Sequence, residues 1–162
     1  MRYFDKESVV QINVLSKKEL RDLIKSGMTL LDVKKKYQKY SLSNKSKVIL
    51  DENKNILFFT YYNKNIKLCE YFDETKDKKV IVDDGAIKPL ERGADLMIPG
   101  ILKFLDKQPD FKKDDVVYIE INSRLFGVGI AQMCLSECVN AKTGVGIEIL
   151  YLRDGILHKI IK

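Results

Sequence analysis

From residue 80 onward, short runs of apolar and β-branched residues alternate with polar or glycine-containing turns, and this pattern limits the possible folds most. Such runs are typical of short β-strands. One short helical turn is expected near Lys88, with Pro89 in its first turn and Gly93 at its end. Many short strands with few helices predict a closed or nearly closed β-barrel. We expect strands at residues 80–82, 116–121, 125–133, 145–150 and 156–161, the last two joined by a hairpin turn at Asp154 and Gly155.

The first half of the sequence combines strand and helix signals. Residues 9–15 are typical of a strand. Ser16 and Glu19 have the spacing of a capping box, which predicts a helix that starts there and ends near Gly27. Further along, the pattern predicts a hairpin from residues 47–50 and 56–62, and either a strand or a short helix at residues 66–72.

A second helix is expected between these elements. The apolar residues that recur there at helical spacing are Leu30, Val33, Tyr37 and Tyr40. This spacing places Lys34, Lys35 and Lys36 on or beside the solvent side of the helix. The sequence therefore predicts a basic helical face.

Charge divides the sequence into two parts. Residues 1–78 contain 17 Lys and Arg against 11 Asp and Glu, whereas residues 79–162 contain 12 of each. The polar run at residues 73–79 separates the parts and is the expected linker. We therefore predict a basic domain at residues 1–78 and a neutral domain at residues 79–162. A concentrated basic surface attracts polyanions such as nucleic acid, but lysine-rich faces are as often merely solvated.

No catalytic or metal-binding arrangement is evident. His158 is the sole histidine and is expected in the last strand, and no Gly-Lys-Ser/Thr loop for a nucleoside triphosphate occurs. Cys69, Cys134 and Cys138 are expected to be reduced and small buried hydrophobes rather than zinc ligands. The glycine pairs at residues 127–129 and 144–146 favour bulges in barrel strands over a nucleotide loop.

The segment from Gly93 to Ile101 stands apart because Gly93, Pro99 and Gly100 bracket a short apolar strand. Glycines permit close approach of another backbone. Such a segment can present backbone groups to a phosphate or a base while Leu96 and Met97 anchor it in the core. An ordinary barrel corner explains the same residues, and without further context we favour the corner.

Three segments carry a resemblance to a known family. Residues 82–88 and 93–101 resemble PUA domains in general, and residues 144–158 resemble the PUA domain of the malignant T-cell-amplified sequence family; residues 4–7 are similar to that family's amino terminus. The resemblance implies an α+β chain with an N-terminal α/β pre-PUA domain and a C-terminal PUA β-pseudobarrel. It also implies an RNA-binding face without cofactor, formed by Lys88, Arg92, Gly93, Ala94, Asp95, Leu96, Met97, Pro99 and Gly100.

The same resemblance implies a non-enzymatic translation factor that binds the small ribosomal subunit. Its expected roles are translation reinitiation and post-termination recycling with tRNA release, and its expected RNA partners are small-subunit rRNA and the tRNA acceptor end. A protein like density-regulated protein, with a Sui-type domain, is the expected protein partner of an otherwise monomeric chain. The alternative is a free-standing PUA module that assists tRNA or rRNA modification or ribosome assembly.

Two further expectations concern location. No run of residues approaches the roughly 18 apolar residues that a membrane helix needs. The first residues mix acidic and basic side chains, unlike a secretory signal. We therefore expect a cytoplasmic protein without membrane association.

Overall fold

The computed structural model describes residues 3–161 and divides them into two compact units. The basic unit comprises residues 6–71, and the barrel unit comprises residues 3–5 together with residues 72–161. The domain boundary expected between residues 78 and 79 stays a prediction. None of the helices within residues 3–161 is both long and apolar enough to cross a membrane.

The basic unit is an antiparallel sheet of five strands in sequential order with one α-helix. Antiparallel neighbours can be joined by short turns, so the chain needs no crossover here. The helix is α1 (Lys17–Lys25). The strands are β1 (Val9–Val14), β2 (Gln38–Leu42), β3 (Lys47–Leu50), β4 (Ile56–Tyr61) and β5 (Lys64–Lys67).

The predicted capping box at the start of α1 is confirmed. The Ser16 Oγ accepts a hydrogen bond from the Glu19 backbone N–H at 3.1 Å, and the Glu19 carboxylate accepts one from the Ser16 N–H at 3.3 Å. Glu19 also binds the Lys39 ammonium at 2.6 Å, and this hydrogen bond lowers the pKa of the Glu19 carboxyl. Leu20 is buried, and the helix ends before Gly27, whose φ is +112°.

The second helix predicted in this half is wrong. Residues 28–37 form turns, and Gln38–Leu42 is strand β2. Asp32 is the physical reason: its side chain accepts from the Lys34 N–H at 2.9 Å, and its backbone N–H donates to the Tyr37 hydroxyl at 2.8 Å. Such local bonds offer the backbone an alternative to the helix. Val33, which the helical stripe would bury, is 55% exposed.

The predicted hairpin of the basic unit is confirmed as β3 and β4. Asp51 organises its turn, because one carboxylate oxygen accepts from the N–H groups of Asn53 and Asn55, each at 2.9 Å. The ambiguous stretch that follows contains both predicted elements: strand β5 and then a short 3₁₀-helix at Cys69–Tyr71.

The barrel unit is a second five-stranded sheet with four short α-helices. Its order is β6-β8-β9-β10-β7, in which only the β6–β8 pair is parallel. The strands are β6 (Lys78–Val82), β7 (Leu96–Met97), β8 (Val116–Ile121), β9 (Arg124–Ala131) and β10 (Val145–Leu152). The helices are α2 (Ile87–Glu91), α3 (Ile98–Leu102), α4 (Leu135–Ala141) and α5 (Ile156–Ile161).

Both glycine pairs lie next to bulges, as predicted, and Gly127 and Gly129 lie where β9 and β10 approach closely. The β9–β10 register shifts between Ile149 and Tyr151. A Cβ on Gly129 would lie 2.2 Å from the Glu148 carbonyl oxygen, so no side chain fits there. Cys69 and Cys138 are buried as predicted, whereas Cys134 is half-exposed at the start of α4.

The predicted last strand and its hairpin turn are wrong, because residues 156–161 form helix α5. Asp154 has a φ of +57°, and the Gly155 N–H donates to the Leu152 carbonyl at 3.0 Å, which turns the chain into the helix. Strand alternation and helical spacing cannot be separated in six residues this apolar. Helix packing decides the outcome, since Leu157 is 1% exposed and His158 lies 2.8 Å from the Tyr151 hydroxyl.

Candidate nucleic-acid interface

Helix α2 and the turn after it hold the first group of predicted site residues. Pro89 lies in the first turn of α2, as predicted. The Gly93 N–H donates to the Leu90 carbonyl at 3.1 Å, and the Ala94 N–H donates to the Pro89 carbonyl at 3.0 Å. Gly93 has a φ of +99°, which a glycine adopts without strain. Lys88 and Arg92 are exposed beside this turn.

Replacing Gly93 by valine is expected to destabilise the chain by about 1–3 kcal/mol, because a β-branched residue resists a positive φ. A Cβ at Gly93 meets no atom within 4 Å, so the cost is conformational and not a clash. Thermal melts of Gly93→Val and Gly93→Asn measure it. Asparagine tolerates left-handed backbone, so Gly93→Asn should melt above Gly93→Val; equal melting temperatures for both would contradict this account.

Asp95 forms a hydrogen bond within the fold. Its carboxylate accepts a hydrogen bond from the Ile149 backbone N–H at 2.9 Å. Ile149 lies at the irregularity of the β9–β10 pairing, so Asp95 fastens the turn after α2 to strand β10. A carboxylate oxygen engaged in this way is less available to a ligand.

Leu96 and Met97, both expected in the core, have opposite environments. Leu96 is buried at 3% exposure, as predicted, but Met97 is 45% exposed, so that prediction is wrong. Successive side chains of a strand point to opposite faces, and these two residues are the whole of β7. Met97 therefore adds an exposed apolar side chain to this surface.

Gly100 does not bring a strand close, contrary to expectation. It lies inside helix α3, with Pro99 in the first turn, and a Cβ there would make only ordinary contact with Leu96 at 3.8 Å. The close approach occurs instead at Gly146, where a Cβ would lie 2.5 Å from the Ile101 side chain. Pro99 is exposed, so it stays on the surface of the predicted site.

A cleft of about 600 Å³ opens beside Gly93 within the barrel unit. Three cationic side chains line it, and so do three carboxylates: Arg92, Arg153, Lys159, Asp5, Glu91 and Asp154. These charges balance, so the cleft is not a general trap for polyanions. It suits a ligand that both donates and accepts hydrogen bonds.

Arg153 and Lys159 are cleft residues that the sequence analysis missed. The predicted strand at residues 156–161 hid them, because it placed Lys159 in a hairpin and not on α5. The sequence holds no signal that could have revealed the helix, because strand and helical spacing cannot be separated in these six residues. The other predicted cluster, Lys34 to Lys36, is exposed in the turn before β2.

Comparison with known proteins identifies the barrel unit. Residues 78–151 match the family model described as PUA domain. Residues 78–151 are a PUA domain. The α+β fold class predicted for the chain, with a PUA β-pseudobarrel, is confirmed. PUA domains are RNA-binding modules, so the Gly93 turn lies in a domain of RNA-binding class, and the cleft is lined by residues of this domain and of the segments on either side of it.

Curated relatives carry several different names. The chain is 34% identical over 88 residues to translation machinery-associated protein 20 of Schizosaccharomyces pombe, covering 52% of this chain and 49% of that protein. It is 38% identical over 80 residues to malignant T-cell-amplified sequence 1-A of Xenopus laevis, covering 48% and 44%. It is also 31% identical over 86 residues to a probable tRNA pseudouridine synthase B of Nanoarchaeum equitans, covering 51% and 24%. The chain thus spans about half or less of the length of these relatives.

The likeness to one solved structure covers nearly the whole chain and so extends beyond the PUA domain. A conserved PUA domain protein from Thermoplasma acidophilum has a TM-score of 0.67 at 19% identity, covering 94% of this chain and all of that one. At this identity the likeness concerns the fold alone. It extends the fold comparison to the basic unit as well.

Proposed function

We propose that this chain is an RNA-binding translation factor of the small ribosomal subunit, acting in translation reinitiation and in post-termination recycling with tRNA release. The observation that carries the proposal is the charge-balanced cleft that opens beside Gly93 of the PUA domain. The similarity to a translation machinery-associated protein and to a malignant T-cell-amplified sequence protein supports the translational role.

The cleft has the dimensions and chemistry for the exposed end of an RNA strand. Its volume of about 600 Å³ is within the range of roughly 300–1,000 Å³ typical of small-ligand sites. Arg92, Arg153 and Lys159 can meet phosphate oxygens, while carboxylates and backbone carbonyls can accept from base amino groups or ribose hydroxyls. The acceptor end of tRNA is single-stranded and offers all of these groups.

The basic unit supplies affinity in this proposal. Residues 6–71 contain 14 Lys and Arg against 7 Asp and Glu. Contacts between such a surface and RNA phosphates release counterions and carry no sequence information. Lys34, Lys35 and Lys36 are exposed and project from a turn, where they are accessible to a large RNA surface.

The proposal also covers the location, the oligomeric state and the protein partner of the chain. The chain is a cytoplasmic monomer that acts by binding and pairs with a Sui-domain protein like density-regulated protein. Sedimentation of cell extract tests the ribosomal role: the chain should co-migrate with small subunits, and crosslinking should recover small-subunit rRNA and tRNA ends. Migration with free RNA or pre-ribosomal particles alone would contradict it.

A second function is favoured by one observation, the similarity to a probable tRNA pseudouridine synthase B. In this alternative the chain is a free-standing PUA module that helps an enzyme hold tRNA or rRNA. Crosslinked RNA then should come from tRNA bodies or pre-rRNA, and depletion of the protein should reduce modification at those sites. Unchanged modification would exclude this alternative.

Arg92→Glu is expected to weaken RNA binding about tenfold while leaving the fold intact, because a reversed charge repels phosphate at the edge of the cleft. Arg92 is exposed, so the free energy of unfolding should change by less than about 0.5 kcal/mol. Titration with tRNA measures the affinity. Arg124→Glu is the matched control, since Arg124 is exposed but does not line the cleft. Equal affinities of both variants and wild type would place the RNA contact elsewhere.

A further inference from the structure

The turn between β4 and β5 carries the most exposed large hydrophobic side chain within residues 3–161. Tyr61 and Lys64 are paired across the hairpin, so the turn consists of Tyr62 and Asn63. Tyr62 is 84% exposed. Its ring lies 4.7 Å from that of Tyr61, and the two rings are almost perpendicular at 83°. The tip of this hairpin therefore presents an aromatic pair to solvent.

Turn chemistry does not explain a tyrosine at this position. Tyr62 has a φ of +52°, in the left-handed region that glycine, asparagine and aspartate adopt most readily. A bulky residue there carries strain, and its exposed ring gains no burial in return. Strained residues that contribute no packing are candidates for function.

Two lysines lie at the same end of the sheet as the aromatic pair. The Lys47 backbone N–H donates to the Thr60 Oγ1 at 2.9 Å, and Val48 pairs with Phe59. This register brings the β2–β3 turn, which carries Lys45, to the same end of the sheet as Tyr62. Lys45 is exposed, and Lys64 is the residue directly after the turn on the other strand.

We propose that Tyr62, supported by Tyr61, stacks on an unpaired base of a single-stranded RNA, with Lys45 and Lys64 contacting the flanking phosphates. Aromatic side chains beside a cationic track are the common means of binding single strands without sequence preference. The surroundings favour RNA over a protein partner, because Asn63 and the lysines are polar whereas protein hot spots are ringed by contacts that exclude water. The site adds an RNA contact outside the PUA domain and rests on the proposed function only for the choice of RNA.

Binding of two probes by the full chain tests the proposal at one fixed salt concentration. One probe is a labelled oligouridine of about 12 nucleotides, and the other is an abasic strand with the same number of phosphates. Tyr62→Ala should lose about tenfold in affinity for oligouridine and keep its affinity for the abasic strand, because stacking needs a base. Tyr62→Phe, which retains the ring, should bind both probes like wild type.

Tyr62→Asn separates binding from folding. Asparagine tolerates the positive φ, so this variant should melt at or above the wild-type temperature and still lose oligouridine affinity. Ile12→Ala is the control for loss of an exposed apolar side chain, since Ile12 is 52% exposed on β1. It should bind both probes like wild type.

Two results would overturn the inference: unchanged oligouridine affinity of Tyr62→Ala, or equal losses on both probes. If Tyr62→Ala keeps its oligouridine affinity but no longer binds a protein that the wild-type chain binds, the surface is a protein-docking site. A different measurement, sedimentation with small subunits, tests the proposed function. A wild-type chain that binds oligouridine through Tyr62 but does not sediment with small subunits contradicts the ribosomal role alone.

Discussion

Gly129→Ala is expected to destabilise the PUA domain by roughly 3 kcal/mol or more, the largest stability effect predicted for this chain. The added Cβ would lie 2.2 Å from the Glu148 carbonyl oxygen and 2.7 Å from the Ile147 side chain. Glu148 and Ile147 belong to β10, which pairs with β9 at this point, so the clash is with backbone in the middle of the sheet. The melting temperature should fall by about 10 °C or more.

Gly100→Ala is the matched control for this prediction. It is the same substitution in the same domain, but its Cβ would make only ordinary contact with Leu96 at 3.8 Å. Because Gly100 lies inside α3, alanine should leave stability unchanged or raise it by up to about 1 kcal/mol. Melting of Gly129→Ala at the wild-type temperature would show that β9 and β10 leave room for a side chain at this position.

Replacement of Lys34, Lys35 and Lys36 by glutamate is expected to weaken binding to the small subunit by about 100-fold at moderate salt. Each lost phosphate contact removes about 0.9 from the slope of log affinity against log salt, so three contacts lower the slope by roughly 3. The three residues are exposed in a turn, and the unfolding free energy should change little. Affinity measured at several salt concentrations gives both quantities.

Charge reversal elsewhere controls for net charge alone. Lys112, Lys113 and Lys142 are exposed in the barrel unit, and their change to glutamate alters the net charge by the same amount. That variant should keep most of the affinity if the turn before β2 is a local contact. A folded Lys34–Lys36 variant with wild-type affinity and slope would refute the role of this cluster.

The sequence predicts elements best where one residue pattern has one structural solution. Ser16 and Glu19 define the start of α1, and Asp51 with two asparagines defines the β3–β4 turn. The glycines of β9 are placed correctly at bulges because close strand contact leaves no alternative residue. In these cases local chemistry and tertiary structure agree.

The errors arise where tertiary contacts choose between two acceptable local patterns. Tyr37 and Tyr40 fit a helical stripe, but both are buried in or beside strand β2. Residues 156–161 fit a strand, yet burial of Leu157 and the contact between His158 and Tyr151 select a helix. The candidate site is affected most, because Lys159 lies on that helix and Arg153 lies in the turn before it.

The division of the barrel unit along the chain has a consequence for synthesis. Phe4, 1% exposed, lines the cleft together with Tyr151 and Leu157, although they lie at opposite ends of the sequence. A ribosome adds about 5–20 residues per second, so roughly 7–30 seconds separate the synthesis of Phe4 from that of these neighbours. The intervening basic unit can fold during that interval. Completion of the cleft is therefore expected to follow the folding of the basic unit.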